Sequence, residues 1–151
     1  MKILEKQSSV LSNYEVLAIT RELTAEHDGS DGSARARPMP GNLKRILTDV
    51  TTHLTHPKTP TPTYTAPQIA TFLTRLQRAD FKLEKPEALM VLNLRPRTLA
   101  ELDTVMEELD GRLDEARQEE LLALVGECLG PFEEGGEGLG EKREGGTDWS
   151  V

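Results

Sequence analysis

The sequence predicts an all-α fold of about six short helices, with an extended N-terminal arm ahead of them and an acidic Gly/Glu-rich tail behind. Three observations carry that expectation. Aromatic residues make up only 4% of the 151, and the chain is rich in Leu, Ala, Glu and Arg, which favour helices over strands. Apolar residues recur at spacings of three and four instead of alternating. Ser or Thr followed three positions later by Glu or Gln, a helix-starting signal, occurs at Ser12/Glu15, Thr65/Gln68 and Thr98/Glu101. A chain of this length fits one modest core. Residues 1–130 are expected to form the helical unit, with a flexible loop at 24–41, and 131–151 a disordered tail.

The first helix starts at Ser12, whose capping box with Glu15 is flanked by a hydrophobic staple of Leu11 and Val16. Val16, Ile19 and Leu23 supply its inward stripe, with Leu17 on the flank, and the signal ends near Glu26. Gly, Ser and Pro without periodicity follow, which reads as loop. The second helix fits 42–55, where Leu43, Ile46, Leu47, Val50 and Leu54 share one face. Three prolines, Pro57, Pro60 and Pro62, end it. The third opens at Thr65 with Pro67 in its first turn; it buries Ile69, Phe72, Leu73 and Leu76 and turns Arg75 and Arg78 outward.

The fourth runs roughly from Pro86 to Asn93 and buries Leu89, Met90 and Leu92 or Leu94. Pro96 then disfavours helical geometry at Arg95, and Thr98 starts a new cap, so Val91 to Leu102 is a tight turn between two helices and not one kinked helix. The fifth helix spans Leu99 to about Leu109, burying Leu102, Val105, Met106 and Leu109, with Gly111 as its C-terminal cap. Asp114 caps the sixth, which buries Leu121, Leu124, Val125 and Cys128 and ends at Gly130 and Pro131. The Gly/Glu-rich remainder cannot bury a core.

Charge and reactive groups narrow the function. The net charge of −8 is unevenly spread: residues 1–83 carry 11 Lys/Arg against 8 Asp/Glu, and 84–151 carry 7 against 18. An acidic second half repels phosphate backbones, so the chain is not expected to bind nucleic acid on its own. The single cysteine, Cys128, excludes an internal disulfide framework and sits on an apolar stripe, which suits packing better than nucleophilic chemistry. The first ten residues carry no sustained apolar run, so no signal peptide is expected, and no stretch approaches the roughly 20 apolar residues of a membrane span.

His53 and His56 have the spacing of two metal ligands on one turn but no further ligand to complete a set. Glu107/Glu108 and Glu119/Glu120 are adjacent and point apart on a helix. The tail segment GGEGLGEK lacks both the Gly-Lys-Ser/Thr ending and the preceding strand of a phosphate loop. Trp149, the only tryptophan, stands isolated in the acidic tail. No catalytic residue, cofactor or metal is expected. The N-terminal arm is different: Ile3, Leu4, Val10, Leu11 and Tyr14 gather more apolar surface than a free arm should expose.

Two segments carry a family resemblance: Leu11-Ser12-Asn13-Tyr14-Glu15-Val16 and Leu92-Asn93-Leu94-Arg95-Pro96-Arg97-Thr98. In this order and spacing, with YTAPQIATFLTRL between them, the chain resembles the small stalk subunit of nuclear RNA polymerase III over roughly residues 1–130. Animal members of that family are also called calcitonin-gene-related-peptide receptor component protein. The resemblance implies an HRDC-like helical fold and a non-catalytic nuclear role in transcription initiation of tRNA, 5S rRNA and other small RNA genes. It also implies a heterodimer with a larger stalk subunit carrying an oligonucleotide-binding (OB-fold) barrel, and contacts with the polymerase III core and initiation factors. RNA would be contacted mainly through the partner. The interface residues expected on this basis are Ile3, Leu4, Val10, Leu11, Asn13, Tyr14, Arg95 and Arg97. The competing class, a free-standing HRDC-type adaptor or single-strand binder, needs a basic groove with stacking aromatics; Tyr14, Tyr64, Phe72 and Phe81 are few, and the second half is acidic.

Overall fold

The computed structural model describes residues 9–32 and 36–130. Ile3, Leu4, Trp149 and the whole expected tail lie outside the described residues. Within them the chain forms seven α-helices and no strand: α1 (Asn13–Asp28), α2 (Gly41–Leu54), α3 (Ala66–Ala79), α4 (Lys85–Leu94), α5 (Leu99–Asp103), α6 (Leu109–Arg112) and α7 (Glu115–Leu129), with a 3-10 turn at Thr61–Thr63.

Local chemistry starts most of these helices where expected. Ser12 and Glu15 form the box that opens α1, with the Ser12 N–H donating to Glu15 Oε2 at 2.7 Å. Thr65 and Gln68 do the same for α3. Thr98 accepts from the Glu101 N–H at 3.2 Å to start α5. Asp114 Oδ1 accepts from the Arg117 N–H at 2.8 Å to start α7. A further box, Glu84 with Glu87, opens α4 ahead of Pro86. It escaped the sequence reading because its cap residue is a glutamate and not one of the short side chains that usually cap. At the other end of α1, Thr24 to Asp28 are helical, where the loop had been expected to begin, and the left-handed Gly29 (φ 81°) closes the helix by donating to Ala25 O.

The molecule has two unequal parts. In the larger, α3 lies against α7 and α5 packs on α7, around a core that includes Phe72, Leu76, Val91, Leu102, Leu121 and Val125. In the smaller, α1 and α2 form a hairpin whose own buried residues are Leu17, Thr20, Leu47 and Leu54. In α7 the structure buries the stripe the sequence predicts: Leu121, Leu124, Val125 and Cys128.

Three expectations are corrected. In α1 the inward face is Leu17 and Thr20, while Ile19 is 41% exposed. Thr20 can be buried because its hydroxyl donates to Val16 O at 2.7 Å inside the helix, which rotates the face away from the aliphatic stripe. In α4, Val91 and Leu92 are buried while Met90 and Leu94 stand exposed; a nearly uniform run of apolar residues has no period to choose a face, so tertiary packing chooses it. The expected single fifth helix is two, α5 and α6. Glu108 takes a left-handed conformation (φ 51°), and the change of direction brings Leu109 and Leu113 into the core with Leu102 and Met106. Gly111, expected to cap a helix end, lies inside α6.

The loop between α3 and α4 is held from below by two arginines. Asp80 and Lys82 are both left-handed (φ 48° and 54°). Arg117 lies over the Phe81 ring at 4.4 Å and donates to Ala79 O at 2.6 Å. Arg112 donates to Lys82 O at 2.9 Å and to Glu87 Oε2 at 2.9 Å. That hydrogen bond from Arg112 holds the Glu87 carboxyl below the usual carboxylate range, against the opposing effect of burial.

Candidate partner interface

The two segments that carry the resemblance meet in the fold. The Asn13 N–H, one of the orphan donors of the α1 start, donates to Asn93 Oδ1 at 2.9 Å across 80 residues of sequence. Tyr14, on the same turn, packs half-buried against the bundle core. Just before them Val10 and Leu11 are 64% and 42% exposed, so the staple partner Leu11 covers little of the helix it precedes. Ser12, by contrast, is buried beneath its cap.

The α4 C-terminus is built around Arg95. Its backbone is left-handed (φ 51°), and its N–H closes the helix on Val91 O at 2.9 Å. The next carbonyl, Leu92 O, accepts from Tyr64 Oη at 2.8 Å. Burial pushes the Tyr64 phenol well above its ordinary pKa, the nearby Arg95 charge opposing only in part, so it stays a donor. The Arg95 side chain is 3% exposed. It lies 5.7 Å from the Tyr64 ring centroid and reaches Thr63 Oγ1 at 3.5 Å; burial lowers its pKa. Its Nη2 would stand 3.7 Å from a Cβ at Gly130, the positive-φ residue that ends α7, so Arg95 fills the space where α4, the 3-10 turn and the α7 terminus converge. Arg97 is exposed and bridges to its own helix start, its N–H donating to Glu101 Oε2 at 2.6 Å and its guanidinium to Oε1 at 3.3 Å.

Among the expected interface residues, the structure thus brings Asn13, Tyr14 and the Arg95 turn together through Asn93 and Leu92. It leaves Val10 and Leu11 projecting beside them. Two further apolar side chains, which the sequence reading assigned to buried stripes, are exposed on the hairpin: Ile19 and Ile46, the latter at 57%. The signal that could have found them is width. The α2 stripe occupies five positions, more than one neighbouring helix covers, and just Leu47 and Leu54 end up buried. Between α1 and α2 a hollow of about 480 Å³ remains, bordered by Thr24, His27, Lys44, Leu47 and Thr51.

Reactive chemistry does not assemble here. Cys128 is buried, with Arg75 Nη1 3.4 Å from its sulfur. His56 Nδ1 accepts from the Lys58 N–H in the turn after α2. Among the described residues no cluster of His, Cys, Asp and Glu is placed to hold a metal ion, and no helix is long and apolar enough to cross a membrane. What this part of the molecule presents is exposed apolar surface at Val10 and Leu11 beside the Asn13–Asn93 junction. Residues 10–129, which contain both motif segments and all seven helices, match the family model for RNA polymerase Rpb4, and the chain belongs to that family. It is therefore a non-catalytic stalk subunit of a multisubunit RNA polymerase, a kind of subunit that pairs with an Rpb7-like stalk subunit.

Proposed function

We propose that this member of the Rpb4 family is the small stalk subunit of nuclear RNA polymerase III, an HRDC-like bundle that pairs with the larger, barrel-carrying stalk subunit. In that assembly it supports initiation on genes for tRNA, 5S rRNA and other small RNAs. The observation that carries the reading is the junction of Leu11–Val16 with Leu92–Thr98, held by the Asn13–Asn93 hydrogen bond. These are the segments through which the sequence resembles the polymerase III subunit, and they form one structural unit. The partner docks on apolar side chains left exposed at Val10, Leu11, Ile19 and Ile46, and Ile3 and Leu4 join its contacts. Arg95 and Arg97 act through the shape of the turn. RNA is contacted mainly by the partner, in keeping with a net charge of −8.

The test is to tag the chain in its own cells and identify what co-purifies by mass spectrometry. The expected result is the larger stalk subunit with the polymerase III core. Recovery of polymerase I or II subunits in their place overturns the polymerase assignment. Recovery of no polymerase favours a free-standing adaptor and overturns the reading altogether.

A further inference from the structure

Two hollows of about 520 and 420 Å³, the first beginning beside the start of α1, meet at Leu73. Together they form one groove along the outer side of α3, walled by α4. Its α3 side is made by Ala66, Ile69, Ala70 and Leu73, at helical spacings, and its α4 side by Leu89 and Leu92. Leu73 is 38% exposed although it points into this groove. Ala66 and Ala70, one turn apart, leave room for another backbone to come close. At 14 residues, α3 is about 21 Å long, the length of a three- to four-turn helix.

The groove changes character along its length. The end near Val10 and Tyr14 is mostly apolar, with Ser12 and Glu15 at its edge, and the far end is lined by Lys82, Lys85 and Asp80. Neither lysine enters an ion pair among the described residues, where the described pairs join arginines to carboxylates. Lys82 is also held in place, its carbonyl gripped by Arg112. On a protein of net charge −8, an end lined by two lysines against the single carboxylate of Asp80 is a local positive exception that an acidic ligand would select.

We infer that the α3–α4 groove is a docking site for an amphipathic helix of a partner protein, with apolar side chains at three- and four-residue spacing and carboxylates at the end that meets Lys82 and Lys85. Such recognition reads apolar anchors on one helix face. The occupant is a protein and not single-stranded RNA: of the two aromatics that line the groove, Phe81 is 2% exposed and Tyr14 is half-buried against the core, so no row of exposed rings is offered for successive bases to stack on. The inference is independent of which polymerase carries the chain.

The experiment places a photo-crosslinking amino acid at position 77, where Gln77 lines the groove, in the full chain within its co-purified complex, and sequences the adduct. The expected adduct is a peptide of another protein with apolar residues at helical spacing and at least two Asp or Glu at one end. Leu73→Glu, and Lys82→Glu with Lys85→Glu, should each reduce its yield about tenfold, as loss of one apolar anchor or reversal of the rim charge predicts. Lys82→Arg with Lys85→Arg should preserve it. An adduct on RNA, on a second copy of this chain, on residues 131–151, or on a peptide without that pattern overturns the inference. So does no adduct, or an adduct that all variants form equally; unchanged melting of the variants separates lost docking from lost folding.

Discussion

The α1–α2 hairpin and the α3–α7 bundle are made of the same kinds of residue and reach different degrees of completion. The bundle has a continuous core in which Phe72, Val91, Leu102 and Leu121 are fully buried, with Leu73, Met90 and Leu94 exposed at its margin. The hairpin encloses Leu17, Leu47 and Leu54, fills the rest of its seam with threonines around an open hollow, and leaves Ile19 and Ile46 outside. Burying a side chain of that size is worth about 1.5–3 kcal/mol, a gain the isolated hairpin forgoes. The difference is one of core size: the bundle has a continuous core of its own, and the hairpin has few buried side chains of its own.

The sharpest way to break that contrast is Phe72→Ala. It should cost about 3–5 kcal/mol of stability, read by urea denaturation of the isolated chain, and the larger stalk subunit should not repair it. Next, Ile19→Glu with Ile46→Glu should leave the isolated chain within about 0.5 kcal/mol of the parent, as exposed positions do. The same pair should weaken heterodimer formation at least about tenfold in a titration; unchanged affinity would make the hairpin face irrelevant to the partner. A helix cap comes third: Thr98→Ala should cost about 1 kcal/mol by removing the acceptor for the Glu101 N–H.

Smaller effects test the electrostatics of the bundle. Because Arg112 lowers the pKa of Glu87 from its ordinary value of 4.5, the carboxylate stabilises the fold fully above that pH, and the contribution fades as pH falls through the lowered native value. Glu87→Gln should therefore flatten the fall in melting temperature between about pH 5 and pH 3. The smallest expected effect is on RNA. Changing Arg95 and Arg97 to Ala should leave the slope of heterodimer–RNA affinity against salt nearly unchanged, since Arg95 is buried and Arg97 engages Glu101. A slope lower by about two units would mean that both contact phosphates.

How much was legible follows the same division. Starts of helices depend on a few neighbouring residues, so Ser12, Thr65, Thr98 and Asp114 announced theirs. Buried faces were legible where the period was clean, as in α7, and illegible where the apolar run was continuous, as in α4, or where a self-satisfied threonine replaced an aliphatic, as in α1. The break between α5 and α6 had no Gly or Pro before Gly111 to mark it; the left-handed Glu108 is imposed by the burial of Leu109 and Leu113. Within the candidate interface, the motif segments were visible as sequence, but their meeting through Asn93 joins residues 80 apart, a distance no local pattern encodes. Arg95 illustrates the limit from the other side. In sequence it is a surface cation, and in the fold it is a packed one.

The Asn13–Asn93 hydrogen bond also has a consequence in time. Translation proceeds at about 5–20 residues per second, so the 80 residues that separate donor from acceptor take on the order of 4–16 s to synthesise at those rates. Throughout that interval α1 and α2 can pair with each other while the surface they lean on does not yet exist, and α7, which closes the bundle, emerges later still. On the proposed reading, Ile19 and Ile46 are thus presented early in synthesis and covered last. A cell short of the larger stalk subunit would hold this chain longest in the form that chaperones and proteases recognise, so the abundance of one stalk subunit should follow that of the other.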